Sequence, residues 1–373
     1  MKCGFKDNLN GKFGVKLFME WSLFENAYKG KKVIITGHTG FKGSWLSLIL
    51  KKMGADVLGY SLTPPTSPSH FDCFNWGGES VIGDIRDLEN MSKVFQKFNP
   101  DVICHLAAQP IVRQSYVDPL ETLNINIMGT ANIFEVSRKL KNLKAIISVT
   151  SDKCYENKNW VWGYRETDPM GGFDPYSVSK GCAELITSSY RSSFFNISDF
   201  GKSHQTLIAS ARAGNVIGGG DWAQDRLIPD VIRAIQKKEI VEIRNPNASR
   251  PWQHVLEPLK GYLMLGVKLL NGETFYADGW NFGPPNSESF SVLKVVQQMQ
   301  SFWPEINYKI TQSELNQHEA HLLKLDCSKA VDSLKWRPCW DFEKTIENTV
   351  EWYQHYYNNE VISLKQIEEY FSK

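Results

Sequence analysis

The sequence lacks most of the features that would tie it to a membrane, a disulfide frame or a nucleic acid. No stretch of its 373 residues is long enough and apolar enough to read as a helix crossing a bilayer. Its seven cysteines, Cys3, Cys73, Cys104, Cys154, Cys182, Cys327 and Cys339, are scattered. There is no CxxC pair and no metal-ligand spacing. Reduced thiols in a cytoplasm are therefore expected, with no disulfide frame and no metal site. Lys and Arg number 42 against 41 Asp and Glu, so the net charge of +1 leaves no electrostatic footprint for nucleic acid or an acidic membrane surface. No internal repeat or low-complexity tract stands out. What is present is length for a large core and an aromatic content of 12%.

The opening residues carry Lys2, Lys6, Lys12 and Lys16, then a short apolar patch, Leu17-Phe18-Met19, that Glu20 and Glu25 interrupt. Residues 1–28 read as a leader outside the main fold. The chain is then organised around Val33-Ile34-Ile35-Thr36, which runs into glycines spaced G-x-x-G-x-x-G at Gly37, Gly40 and Gly43. An apolar-periodic helix follows. A strand, a tight turn and a helix N-terminus gather free backbone N–H groups and a positive helix end, an arrangement that holds a pyrophosphate. Gly37 suits the sharp turn, Gly40 the approach of phosphates, and Gly43 the packing of helix on strand. A glycine-rich turn without a ligand is the plainer alternative.

Further strands are expected at 56–61, 81–87, 101–108 and 145–150, with helices over 88–98, from about 109 to 141, and over 175–193. Alternating strands and helices imply βαβ units and a mostly parallel sheet, an α/β doubly wound fold of Rossmann type. From about Arg212 glycines cluster and loops lengthen, which suggests a smaller C-terminal lobe. The expected division is 29–212 for the nucleotide-binding domain and 213–373 for a substrate lobe, some of whose segments return to the first. A further helix is expected at 342–358.

Chemistry is expected where polar groups end apolar strands. Ser61 stands where an acidic residue often ends the second strand and binds a ribose. Asp84 suits an adenine contact more than a cap for the helix at 88–98, a role that Asp87 suits better. Ala107 and Ala108 are small enough for a ligand to lie against the backbone. Ser151, Asp152 and Lys153 follow the fifth strand. Tyr176 and Lys180 are four apart on one helix face. An ammonium one turn away favours a phenolate, which can then take a hydroxyl proton. A neutral carboxyl at Asp152 can protonate a leaving hydroxyl, and an amine of lowered basicity can remove a carbon-bound proton. The plainer readings are a surface Tyr–Lys pair, a turn cap at Ser151 and a solvated ion pair at Asp152-Lys153.

Together these motifs resemble the extended short-chain dehydrogenases/reductases, a family of nucleotide-sugar enzymes. The likeness runs from about Lys31 to at least Trp352. It rests on Gly37 to Trp45, Ser151-Asp152-Lys153, the Tyr176…Lys180 pair, the loop Gly214 to Trp222, and Arg250-Pro251-Trp252-Gln253-His254-Val255. Within the family the set is most similar to the sugar-nucleotide 4,6-dehydratases. The resemblance implies NAD as cofactor, contacted by Gly37, Thr39, Gly40, Phe41, Lys42, Gly43, Asp84, Ile85, Leu106, Ala107, Ala108, Tyr176 and Lys180. It implies CDP-glucose as substrate, with Asn215, Arg226, Arg250 and His254 as candidate ligands. It also implies oxidation at carbon 4 with Tyr176 as base, loss of water with Lys153 as base and Asp152 as acid, and a homodimer. Related dTDP- and GDP-sugar enzymes carry Asp-Glu where this chain has Asp152-Lys153. A 4-epimerase, or a nucleotide-binding sensor without catalysis, is the alternative.

Overall fold

The computed structural model describes Phe24 and residues 26–285, 289–311 and 322–372. In chain order the first half contains β1 (Lys32–Thr36), α1 (Phe41–Lys52), β2 (Asp56–Ser61), β3 (Glu79–Ile82), α2 (Leu88–Phe98), β4 (Val102–His105), α3 (Val112–Val117), α4 (Pro119–Leu123), α5 (Gly129–Ser137), β5 (Ala145–Val149) and α6 (Pro175–Ser193). The second half contains β6 (Leu207–Ala213), β7 (Val216–Ile217), α7 (Leu227–Lys237), β8 (Val241–Ile243), β9 (Ser249–Arg250), β10 (Gln253–His254), α8 (Leu256–Leu270), β11 (Gly279–Phe282), β12 (Phe290–Ser291), α9 (Val292–Phe302), β13 (Tyr308–Ile310), α10 (Phe342–Tyr357) and α11 (Ser363–Phe371).

Seven strands form one parallel sheet in the order β11-β6-β5-β4-β1-β2-β3. Its strands are near-continuous apolar runs because helices cover both faces. The order reverses between β1 and β4, and ligands bind at the carboxyl edge of such a switch point. Two cores lie on the two faces. One holds Trp45, Leu259, Trp280 and Trp352, and the other Leu58, Phe95, Ile103 and Phe134.

Several helix starts follow directly from the sequence. Asp87, Asp174 and Asp341 each accept the backbone N–H three residues on. Pro175 occupies the first turn of α6, where its missing N–H costs nothing. The long helical pattern after β4 is broken, because Asp118 caps a new helix at Pro119 and a π turn spans Asn124–Met128.

Two sequence expectations need correction. The leader does not extend to residue 28: Phe24 and Tyr28 are buried, and the Tyr28 hydroxyl donates to the Leu263 carbonyl at 2.9 Å. The rest of that proposed leader lies outside the described residues. The sequence reading also passed over β6, which lies in the middle of the sheet's second half.

The C-terminal helices close over the N-terminal half. Trp45 Nε1 donates to the Gly219 carbonyl at 3.0 Å and stacks on His70 at 4.7 Å. His70 reaches Ser363 of α11 at 2.8 Å, and Phe371 meets Phe24 edge-on at 5.8 Å.

Candidate active site

The glycine turn after β1 has the geometry its spacing demands. Gly37 sits at φ +75°, and a Cβ there would lie 2.8 Å from the Ala107 amide nitrogen. A Cβ on Gly43 would lie 2.1 Å from the Gly37 carbonyl oxygen, so α1 can enter this close to the turn only with glycine. No side chain caps α1 and its first turn contains no acid. Its leading N–H groups are free to take an anion, beside the half-buried backbone of Leu106, Ala107 and Ala108. Thr39 turns away from this cradle. Its hydroxyl lies 2.6 Å from Ser61 Oγ and donates to the Leu62 carbonyl at 2.9 Å. Neutral hydroxyls thus stand where an acidic residue was the usual expectation.

The turn after β5 carries the acid–base candidates. Ser151 caps it by accepting from the Lys153 N–H, and its hydroxyl donates to Asp152 Oδ1 at 2.9 Å. Asp152 Oδ2 is buried, has no hydrogen-bond partner among the described residues, and faces Gly214. Burial pushes the Asp152 carboxyl above the ordinary aspartate value, against the pull of Lys153, Ser151 and Arg250. Lys153 is half-buried on the same turn.

The helix α6 presents Tyr176 and Lys180 to this turn. The Lys180 ammonium lies 6.0 Å from the Tyr176 ring centroid, and both residues are buried. Burial pushes the Tyr176 phenol up to about 12; Ser151 and Arg226 pull it back, while Asp152 and Asp174 add to the rise. The sequence expectation of a phenolate favoured by Lys180 is therefore corrected for the protein alone: desolvation is the larger effect. Burial also pushes Lys180 down to about 8. Lys42, on the first turn of α1, is pushed to about 8 by burial and by the charges of Lys180 and Arg226. Its side chain therefore belongs to the same charged chamber.

The second lobe supplies the remaining candidates. Arg226 precedes α7 and pairs with Asp221 at 2.9 Å. Arg250 is buried on β9, and Asn215 lies half-buried between β6 and β7. His254 is a correction. It is 0% exposed, packed edge-on against Trp340 at 4.7 Å behind Gly218, and its ring is core rather than lining. The Ile85 side chain is likewise core, against Gly129, so only its backbone is available to a ligand. Asp84 pairs with Arg86 at 2.6 Å, which holds its carboxyl below the usual value. Asp87, not Asp84, caps α2. Trp222 and Trp252 are core aromatics.

Residues 34–349 match the family model of GDP-mannose 4,6 dehydratase. The chain belongs to that family. This member of the GDP-mannose 4,6-dehydratase family is 48% identical over 353 residues to the CDP-glucose 4,6-dehydratase of Salmonella typhimurium, covering 93% of this chain and 98% of that one. Among solved structures it is similar to an epimerase of Methanothermobacter thermautotrophicus, at 22% identity and a TM-score of 0.78, covering 92% and 98% of the two chains. It is also similar to a UDP-glucose 4-epimerase of Thermus thermophilus solved in complex with NAD, at 20% identity and a TM-score of 0.73, covering 87% and 99%. The two structures share its fold.

Sequence reasoning missed a buried network beneath the site of this family member. The Glu184 carboxylate on α6 accepts from Ser210 Oγ at 2.7 Å, from Arg212 Nη2 at 2.8 Å, and from Thr150 Oγ1. Arg212 Nη1 donates to the Tyr155 hydroxyl at 2.6 Å, and that hydroxyl donates to Asn281 at 2.8 Å. The available signal was an arginine in the small-residue run Leu207 to Ala213, which needs a buried acid if the run is a central strand.

Proposed function

We infer that this protein is an NAD-dependent hydro-lyase that converts CDP-D-glucose to CDP-4-keto-6-deoxy-D-glucose. The observation that carries the dehydratase reading is Asp152, a buried carboxyl raised above its ordinary value, with one free oxygen, beside Lys153 and Tyr176. A 4-epimerase needs no such acid. The identity to the curated Salmonella enzyme, across nearly all of both chains, supports CDP-glucose as the substrate.

The cradle of Gly37, Gly40 and Gly43 fits a dinucleotide, because a side chain at Gly37 or Gly43 would fill it. In our reading Gly37, Gly40, Phe41, Lys42 and Gly43 hold the pyrophosphate of NAD, Leu106 to Ala108 flank it, and Lys180 holds a ribose. NAD supplies a hydride acceptor at carbon 4 of the sugar and a donor at carbon 6. Tyr176 takes the 4-hydroxyl proton, with Ser151 beside it. Its phenol gives up a proton only as positive charge gathers around it, and Arg226 already contributes in that sense. The 4-ketone acidifies the proton on carbon 5, and Lys153 takes it. Asp152 donates its proton to the departing 6-hydroxyl, which leaves as water. Arg226 and Arg250 bind the sugar-nucleotide phosphates, for which the planar guanidinium is suited, with Asn215 beside them.

Purified protein incubated with CDP-, dTDP-, GDP- and UDP-glucose separately tests this. Product lighter by one water from CDP-glucose alone is the expected result. A 4-epimer that retains its 6-hydroxyl, or no turnover from any of the four, would overturn it.

We further propose a cytoplasmic homodimer that supplies deoxy-sugar precursors for O-antigen of surface polysaccharide. No disulfide joins the described cysteines, which supports the compartment. Exposed Val117, Leu120, Met128 and Leu185, on or beside α3, α4 and α6, support a self-complementary apolar face. The chain divides near residue 212 into a nucleotide half and a mainly substrate-binding half, with β11 returning to the sheet of the first.

A further inference from the structure

We propose that Glu184, paired with Arg212, is a positioning residue that fixes the Ser151–Lys153 turn and keeps the Lys180 ammonium charged. This rests on the reading above, in which that turn and Lys180 serve the reaction. The geometry brackets the turn from both ends. Thr150, immediately before it, donates to Glu184, and Tyr155, two residues after it, accepts from Arg212. One ion pair therefore holds both flanks of a three-residue catalytic segment. Its side chains are 3% and 5% exposed, so water cannot substitute for either partner. Burial alone would raise the Glu184 carboxyl. Arg212, Thr150 and Ser210 outweigh that and hold it ionised, below the usual glutamate value.

Glu184 also lies one helical turn beyond Lys180. The titratable groups facing Lys180 are Tyr176 and Glu184 on its own helix, Cys154 from the turn, Lys42 from α1 and His105 from β4. Burial keeps the Tyr176 phenol and the Cys154 thiol protonated and the His105 imidazole neutral. That leaves two charges. Lys42 opposes a charged Lys180, and Glu184 is the carboxylate that supports it.

The test compares Glu184→Gln, Glu184→Asp and Thr150→Val with the parent and with Lys180→Met. For each, kcat is followed against pH with CDP-glucose. The ionisation of Lys180 is read separately from the pH dependence of its acetylation by acetic anhydride, mapped by peptide mass spectrometry. Glu184→Gln should move the Lys180 titration and the alkaline limb of kcat down by about one pH unit. Glu184→Asp keeps the charge, so the titration should stay in place while kcat falls by about tenfold as the turn loosens. Thr150→Val removes only the bond into Glu184 and should lower kcat without moving the titration. An unchanged Lys180 titration in Glu184→Gln would overturn the electrostatic part. Parent-like kcat in both Glu184→Asp and Thr150→Val would overturn the positioning part. If Glu184→Gln does not fold, a parent Lys180 found largely uncharged at pH 7 overturns the electrostatic part. Full activity in Lys180→Met would instead sink the reading of the site itself.

Discussion

Acidification from pH 7 to 5 is expected to destabilise this protein chiefly through four imidazoles. His38 is pushed by burial from 6.5 to about 4, and His70, His105 and His254 to about 3, Lys180 adding to the effect at His105. Their side-chain partners are hydroxyls: Ser80 for His38, Ser44 and Ser363 for His70, and Thr36 and Thr130 for His105. His254 accepts only a backbone N–H. The unfolded chain takes up protons as the pH passes 6.5 downward, while the folded chain resists until about 4 or 3. Stability is therefore complete above pH 7 and falls through that window. Each imidazole accounts for about 2 kcal/mol between pH 7 and 5, or about 8 kcal/mol together. Glu257, pushed up to about 7 by burial, works the other way and returns about 2 kcal/mol. Asp152 and Glu166, also raised by burial, act with Glu257, whereas Asp84, Glu184 and Asp278, held low by their partners, act with the histidines. A net loss of about 6 kcal/mol rivals the whole stability of many domains. Urea unfolding followed by tryptophan fluorescence measures it. With a slope of about 3 kcal/mol per molar, the midpoint should drop by nearly 2 M. A His70→Asn variant should show a smaller drop, by about 2 kcal/mol. Equal midpoints at the two pH values would refute the reasoning.

Other outcomes follow from the site. Tyr176→Phe should lower kcat by about a thousandfold while calorimetry shows CDP-glucose binding within about twofold of the parent. Asp152→Asn should still oxidise carbon 4 but stall before water leaves, so that absorbance of the reduced nicotinamide accumulates during turnover; a variant that dehydrates at the parent rate would remove Asp152 as the acid. Gly43→Ala places a methyl 2.1 Å from the Gly37 carbonyl and should strip NAD from the purified protein, measured as cofactor content per chain. Leu120→Glu combined with Leu185→Glu should convert the proposed dimer to monomers in sedimentation.

The N-terminal half was legible because its signals are local. Glycine spacing, Asp-Pro helix starts and short continuous apolar runs each lie within a few residues. The α2 and α6 boundaries match the structure residue for residue. The sequence hid what depends on distant partners. Leu207 to Ala213 is rich in Ala and Ser and lacks the bulky alternation of a strand, and only the neighbours β5 and β11 make it one. His254 looked like a ligand because nothing local says that Trp340 will cover it. Glu184 and Arg212 are 28 positions apart and read separately as ordinary charges. Phe24 and Tyr28 seemed part of a leader because the groove that buries them is built by α8 and α11.

The closure of α10 and α11 over the glycine-turn half bears on how the chain comes to life on the ribosome. Lys52 at the end of α1 pairs with Glu368, and Trp352 would meet any side chain placed on Gly219, whose carbonyl holds Trp45. Synthesis runs from the N-terminus, so β1, α1 and β2 emerge before α10 and α11 and must wait for those helices to leave the exit tunnel. Until then Trp45 and His70, both buried in the finished protein, remain uncovered. The nascent half is thus an exposed apolar surface for much of translation. Emergence of α10 and α11 is the event that completes the support beneath the glycine turn.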